Sequence, residues 1–211
     1  MQKQKTIYHL IVDKSGSMCD CIEQTISGFN EQVCKIQELQ NEYPEQELTI
    51  GLTTFNHEVY HHFFQCPPSI VRSLNTDTYI PKGNTALLDA IGMTIDRIEE
   101  DIQHIQNQLN TTVVIVILTD GYENASKLFK LEKIRRTISR LEETGKWTFS
   151  FIGASLDAVD VADSMAIKKE NSFMFEKSNM KFGLFDKLSN SMENYMDKKR
   201  KGKDLGKFFS E

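Results

Sequence analysis

The segment TTVVIVILTDG, residues 111–121, is the strongest fold signal in this chain of 211 residues. Residues 113–118 are all valine, isoleucine or leucine, with no polar residue among them. A continuous aliphatic run of this kind is typical of a strand buried on both faces, as in the centre of a parallel sheet. The Asp-Gly pair that follows is a turn signal. The segment therefore predicts a central strand with Asp120 at its carboxyl end.

Strand-like and helix-like apolar patterns alternate on both sides of this segment. Strands are predicted at 6–12, 47–55, 58–64, 111–119, 147–152 and 172–175. Apolar residues that recur at steps of three and four predict helices. These helices cover 22–39, 85–109, 128–141, 156–166 and 182–195. Asn56 and His57 leave room only for a tight turn, so the third strand should run antiparallel to the second.

This alternation predicts an α/β fold, a doubly wound and mostly parallel six-stranded sheet with one antiparallel edge strand and helices on both faces. We interpret residues 1–196 as this domain and residues 197–211 as a basic C-terminal tail. Sheets of this type bind ligands beyond the carboxyl ends of their strands, where the strand order reverses. Asp13 follows the first strand and Asp120 the central one, so both carboxylates should lie at that edge.

The charge balance argues against nucleic acid as the main partner, since the net charge is −5. The one locally basic stretch is 198–207, which would suit docking on an anionic surface or a solvated tail; we favour the tail. Residues 1–5 lack a secretory pattern. No aliphatic run approaches the roughly 20 residues of a membrane span. We therefore expect a cytoplasmic protein whose four cysteines are reduced thiols.

Three polar segments, each at the end of a strand or the start of a helix, belong together in this fold. They are DKSGS at 13–17, GNT at 83–85 and TDG at 119–121. Their candidate ligands are two carboxylates and three hydroxyls, from Asp13, Asp120, Ser15, Ser17 and Thr85. Such hard oxygen donors suit Mg²⁺, Mn²⁺ or Ca²⁺ and suit zinc poorly. Five side chains would leave an octahedral ion at least one ligand short, so the predicted site is open.

These segments carry a resemblance to a known family. DKSGS matches the D-x-S-x-S motif of von Willebrand factor type A domains, which have a Rossmann-like fold. GNTALLDAI, residues 83–91, resembles that family's threonine loop, and ILTDGYEN, residues 117–124, resembles its second aspartate segment. The order of strands and helices agrees over 6–196. The chain is similar to stand-alone intracellular, bacterial-type members that carry a metal-ion-dependent adhesion site (MIDAS).

The resemblance implies a role for each residue of the site. Ser15 and Ser17 would coordinate the ion through their hydroxyls, and Thr85 directly or through water. Asp13 and Asp120 would supply charge, directly or through bound waters. An Asp or Glu of a protein partner would fill the remaining position. The implied function is that of a metal-dependent adaptor or scaffold, with Mg²⁺ as the ion and Mn²⁺ or Ca²⁺ as alternatives, and not that of an enzyme.

A magnesium-dependent hydrolase or phosphatase is the alternative, because an aspartate at a strand end also begins such sites. Aspartyl-phosphate hydrolases of related topology carry a second aspartate two residues on, where this chain has Ser15. The only thiols near the motif are Cys19 and Cys21, which are poor nucleophiles unless their pKa is lowered. No Walker-type glycine loop is present. We therefore favour the binding module.

Glycines and asparagines are expected to shape the three loops. Gly16 and Gly83 would permit tight turns, and Asn84 and Asn124 would hold the loops through bonds to backbone. By itself Thr85 would also suit the N-cap of its helix. Because the other two polar segments are also present, we favour a role for Thr85 as a metal ligand.

Other polar residues near the motifs receive simpler interpretations. Asp89, Asp96 and Glu123 are interpreted as surface charges, with tuning of the nearby site as the alternative for Glu123. The last helix, 182–195, moves with ligand in adhesive members of the family, but plain core packing explains its apolar stripe equally well.

Three histidines, at 57, 61 and 62, invite a zinc interpretation that strand geometry disfavours. Strand residues four apart are roughly 13 Å apart, and neighbours face opposite sides. We therefore interpret them as part of an exposed edge hairpin.

Overall fold

Six strands form one sheet in the computed structural model of this chain, which describes residues 3–104, 110–154, 158–175 and 185–209. They are β1 (Gln4–Asp13), β2 (Gln46–Phe55), β3 (Val59–Cys66), β4 (Thr111–Thr119), β5 (Trp147–Gly153) and β6 (Ser172–Met174). Their order across the sheet is β3-β2-β1-β4-β5-β6. Neighbouring strands are parallel except β2 and β3, which are antiparallel at one edge. The predicted sheet is thus confirmed.

Helices cover both faces of this sheet. In the described residues they are α1 (Ile22–Glu42), α2 (Leu87–Gln103), α3 (Leu131–Glu143), α4 (Ala158–Ser164) and α5 (Phe185–Arg200). Helices α1 and α5 share one apolar core, which contains Phe29 and Met192. The other core lies under α2, α3 and α4 and contains Ile91 and Ile138. The predicted fold class is therefore confirmed on both faces.

Strand β4 is the central strand that its sequence predicts. Every residue from Thr111 to Thr119 is buried. Val114 and Val116 belong to the core of α1 and α5, and Val113 and Ile115 belong to the core on the opposite face. The continuous aliphatic run is thus explained by helices on both sides of the strand.

The strand order reverses between β1 and β4. Strand β1 pairs in parallel with β2 on one side and with β4 on the other. Val12 is level with Leu118, so Asp13 and Thr119 end the two strands at the same height. Ligands of doubly wound sheets bind at such a reversal, and the polar segments lie there. Among the described helices, none is long and apolar enough to cross a membrane.

Some helix boundaries differ from the sequence prediction. Helix α3 begins at Leu131 instead of 128, and the Leu128 side chain is 68% exposed. The backbone amide of Leu128 donates to the Asp89 carboxylate, so it is engaged outside the helix. The predicted helical residues 105–109, 156–157 and 182–184 lie outside the described residues.

The C-terminal residues are more integrated with the sheet than a solvated tail would be. Helix α5 runs to Arg200, so the predicted boundary at 196/197 falls inside it. Lys199 is buried, and its ammonium donates to the carbonyl of Lys5 at 2.6 Å. Phe208 is fully buried in the core of α1 and α5. The solvated interpretation of 198–207 is therefore wrong for Lys199, because the fold supplies acceptors for its ammonium.

Candidate metal site

Asp13 lies at the end of β1 with its carboxylate fully buried. One oxygen accepts the backbone N–H of Ser15 at 2.6 Å, and the other accepts the hydroxyl of Thr119 at 2.6 Å. Burial raises the pKa of Asp13 to about 6, although the bonds from Thr119 and Ser15 act in the opposite direction. The nearby Asp120 raises it further. A cation beside this carboxylate would favour its charged form.

The two serines link Asp13 to Asp120. Ser15 has an extended backbone, with φ −67° and ψ 169°, just before the short 3-10 turn Gly16–Cys21. Its hydroxyl oxygen lies 3.0 Å from that of Ser17, and the Ser17 hydroxyl donates to Oδ1 of Asp120 at 2.6 Å. The first and third polar segments are thus joined side chain to side chain.

Residues 82–83 attach the second segment to the first. The Gly16 amide donates to the carbonyl of Gly83 at 2.9 Å, and the Lys82 amide donates to the carbonyl of Lys14 at 2.9 Å. Gly83 has a φ of +77°, a conformation that favours glycine. Gly16 is not among the residues with positive φ, so its predicted role in a tight turn does not depend on a left-handed backbone.

Gly121 marks the point where the three segments converge. A Cβ atom added there would lie 2.7 Å from Oγ1 of Thr85, 3.3 Å from Oδ2 of Asp13 and 3.4 Å from Oγ of Ser15. One small volume is therefore surrounded by oxygen atoms from all three segments and kept open by a glycine. With the bonds of Ser17 to Ser15 and Asp120, the structure brings together all five residues that the sequence singles out.

The model of the von Willebrand factor type A (VWA) domain matches residues 9–190 of the sequence. This chain belongs to the VWA domain family. The match contains the first polar segment and extends past the third, as the sequence resemblance indicates. A search of curated proteins returned no match.

Several solved structures share the fold of this VWA domain. The vWF domain of the type V pili tip protein Mfa5 from Porphyromonas gingivalis has a TM-score of 0.61 and 10% identity, over 93% of this chain and 97% of that one. Manganese-loaded TRAP protein from Plasmodium vivax has a TM-score of 0.53 and 11% identity, over 85% and 71% of the respective chains.

A third solved structure with this fold is a mussel protein that contains zinc. Proximal thread matrix protein 1 from the mussel byssus, with a zinc-occupied MIDAS motif, has a TM-score of 0.51 and 18% identity, over 92% of this chain and 45% of that one. This VWA domain spans less than half of the mussel chain. At such identities the likeness establishes the fold alone.

Thr85 is held by Asn124 and Ala125, just after the third segment, and does not cap α2. Its amide donates to Oδ1 of Asn124 at 2.9 Å, and its carbonyl accepts the amides of Asn124 and Ala125 at 3.0 and 3.2 Å. The N-cap of α2 is Ala86, so the N-cap interpretation of Thr85 is wrong. Asn124 holds its loop as predicted, whereas Asn84 is exposed to solvent.

Two acidic residues that the sequence assigns to the surface instead bind backbone amides around the site. Asp89 is only 7% exposed. Its carboxylate accepts the three consecutive amides of 127–129 at 2.8 to 2.9 Å. Glu123 is half-buried and accepts the amide of Leu88 at 2.9 Å. Their interpretation as surface charges is wrong, whereas Asp96 is exposed as expected.

The donor set fits a hard divalent cation. It consists of two carboxylates and three hydroxyls from Asp13, Asp120, Ser15, Ser17 and Thr85, the oxygen ligands that Mg²⁺, Mn²⁺ and Ca²⁺ prefer. Across the described part of the chain, no group of three or more His, Cys, Asp or Glu side chains is arranged to hold a metal. The hydroxyl-rich site is therefore the candidate metal centre.

The histidines of the edge hairpin bind strand threonines. Nδ1 of His61 lies 3.0 Å from the Thr53 hydroxyl, and Nε2 of His62 lies 2.8 Å from the Thr54 hydroxyl. Their neighbours are thus consecutive residues of β2, whose side chains alternate between the two faces of the sheet.

Proposed function

We propose that this VWA domain is a metal-dependent protein-binding module, an adaptor or scaffold that recognises an acidic side chain of a partner protein. Asp13, Ser15, Ser17, Thr85 and Asp120 would hold the ion. The observation that carries the proposal is the convergence of oxygens from three chain segments on the space beside Gly121.

Each residue has a distinct task in this mechanism. Ser15, Ser17 and Thr85 present hydroxyls, and the two aspartates supply negative charge. The bound ion supplies a Lewis-acidic position that attracts a carboxylate from outside. Because two carboxylates balance a divalent charge, the loaded site stays near neutral and does not repel an incoming Asp or Glu. Five side-chain donors leave room for that carboxylate in an octahedral shell.

Mg²⁺ is the ion we propose, with Mn²⁺ or Ca²⁺ as substitutes, since all donors are hard oxygens. The zinc-occupied MIDAS motif of the mussel protein and the manganese bound by the Plasmodium protein support a divalent ion as the cofactor. A cytoplasmic location is supported by the four cysteines, all of which are free thiols.

We propose no catalytic role for the site. The hydrogen bonds of the site hydroxyls support this proposal. Ser17 donates to Asp120 and contacts Ser15. These bonds position metal ligands, whereas a catalytic serine would be paired with a base such as histidine. Turnover of a generic phosphate ester that disappears in Asp13→Ala would favour the hydrolase instead.

Calorimetry with Mn²⁺ tests the metal site directly. Wild type should bind the ion, and Asp13→Ala should lose measurable binding because half of the acidic charge is removed. Asp96→Ala is the matched control, since Asp96 is an exposed aspartate outside the site. Equal binding by wild type and Asp13→Ala would refute this assignment of ligands.

The partner mechanism needs a second experiment. Proteins retained from lysate by immobilised wild type should be released by chelator and absent with the double variant Ser15→Ala and Ser17→Ala. Retention that persists under both conditions would show that the metal does not bridge the partner.

A further inference from the structure

We propose that Asp89 and Glu123 are positioning residues that determine how tightly the site holds its cation, although neither is one of the five ligands. The inference rests on the metal site of the proposed function. Together with Ser126 they form what we term the clasp, a set of bonds between the first turn of α2 and the loop of residues 121–130.

Glu123 binds the start of α2 and its own loop at the same time. One oxygen accepts the amide of Leu88 at 2.9 Å and the hydroxyl of Ser126 at 2.7 Å. The other accepts the amides of Ala125 and Ser126 at 3.0 and 2.8 Å. Both oxygens are thus engaged by protein donors, which makes Glu123 a support for the site and not a ligand.

Asp89 makes the reciprocal connection. It belongs to α2, and its carboxylate accepts the amides of 127–129 in the loop. In return, its own amide donates to the hydroxyl of Ser126 at 3.0 Å. The first amides of a helix lack partners inside the helix, and here the loop supplies them. Negative charge beside a helix N-terminus is also favourable.

The clasp joins the two elements that directly follow the ligand-bearing segments. Thr85 precedes Asp89 by four residues, and Asp120 precedes Glu123 by three. Any shift of the loop relative to α2 would therefore change the separation between Thr85 and Asp120. A small hard cation tolerates little change in donor positions, and residues that orient ligands affect metal affinity strongly.

Mn²⁺ titration of the full chain tests this role, by calorimetry and by the rise in melting temperature with metal. Asp89→Asn keeps the size of the side chain but replaces one acceptor oxygen with a donor that opposes the loop amides. We expect its dissociation constant for Mn²⁺ to rise by about 10- to 100-fold. Asp96→Asn, which removes the same charge from an exposed position of α2, should stay within about twofold of wild type.

A purely structural role predicts a different result. Asp89→Asn would then melt at a lower temperature in chelator, while its folded form would bind Mn²⁺ as wild type does; that outcome overturns the inference. If Asp89→Asn does not fold, Ser126→Ala is the variant to test, because it removes only one hydroxyl from the clasp. Weaker Mn²⁺ binding by Ser126→Ala supports the positioning role. Unchanged Mn²⁺ binding overturns it. A wild type that binds no Mn²⁺ overturns the proposed function and the inference together.

Discussion

Strands β1 and β4 have a buried charge at each of their ends, and the two ends accommodate it differently. At the amino end the Lys199 ammonium donates to the Lys5 carbonyl and to the hydroxyls of Thr6 and Thr112, at 2.6, 2.7 and 2.9 Å. An ammonium has three donors, so each finds an acceptor. At the carboxyl end, Asp13 has another carboxylate, Asp120, as its charged neighbour.

The difference separates a structural charge from one that would be functional in the proposed metal site. The amino end is closed, since its cation is satisfied by groups of the chain itself. The carboxyl end gathers two like charges and three hydroxyls around an opening, an arrangement that gains stability from a cation supplied by solvent. We therefore expect changes at the carboxyl end to alter metal binding, and changes at the amino end to alter only the stability of the fold.

Gly121→Ala should have the largest effect and should act on the carboxyl end alone. The new methyl group would lie 2.7 Å from Oγ1 of Thr85, so the hydroxyl must move off the centre of the site. We expect Mn²⁺ affinity to fall by roughly 100-fold, while the free energy of unfolding in chelator falls by only about 1 kcal/mol. Calorimetry and urea denaturation measure the two quantities.

Gly16→Ala is the matched control in the same site. A methyl group there would lie 3.5 Å from the carbonyl oxygen of Gly83, an ordinary contact. Mn²⁺ affinity should therefore stay close to that of wild type. Equal losses in the two glycine variants would mean that any added bulk in these loops disturbs the site, and the specific crowding of Thr85 would be excluded.

The convergence of the five site residues could be predicted from the sequence because strand ends carry the two aspartates. Asp13 and Asp120 each follow a recognisable strand, and parallel strands end at the same edge of a sheet. The spacing of Ser15 and Ser17 then places two hydroxyls beside Asp13. Each of these steps uses a local pattern together with the topology of the sheet.

The sequence places Glu123 close to the site, but the bonds of the clasp could not be predicted, because its acceptors bind backbone amides that have no sequence signature. Asp89 lies 38 to 40 residues from the amides it accepts. The spacing of Leu128 matches a helix, yet its backbone amide donates a hydrogen bond to the Asp89 carboxylate outside the helix. Lys199 is a similar case, since a basic run resembles a solvated tail until the fold brings Thr6 and Thr112 to it.

Lys199→Ala should reduce stability without affecting the metal. The substitution removes the 2.6 Å bond of the ammonium to the carbonyl of Lys5 and a packed side chain. We expect the free energy of unfolding at neutral pH to fall by about 2 kcal/mol, as measured by urea denaturation. Lys203→Ala, which removes an exposed lysine four residues further along the chain, should change the free energy of unfolding by less than about 0.5 kcal/mol. A loss of Mn²⁺ affinity in Lys199→Ala would show that the two ends are coupled.

The pH dependence of stability gives the most specific effect of the amino end. Burial lowers the pKa of Lys199 from 10.5 to about 7 in the folded protein. Between these values the unfolded state binds more protons, so stability should rise with pH, by at most about 1.4 kcal/mol per pH unit. Burial raises the pKa of Tyr195, on the same helix, to about 12, so it stays protonated for most of this range.

Lys199→Met tests this pH dependence, because it removes the titrating group while keeping an unbranched side chain. The free energy of unfolding of wild type should therefore rise relative to that of the variant between about pH 7 and pH 10. A difference that stays constant across the series would mean that the ammonium, with its three acceptors, keeps an ordinary pKa at the closed end of the sheet.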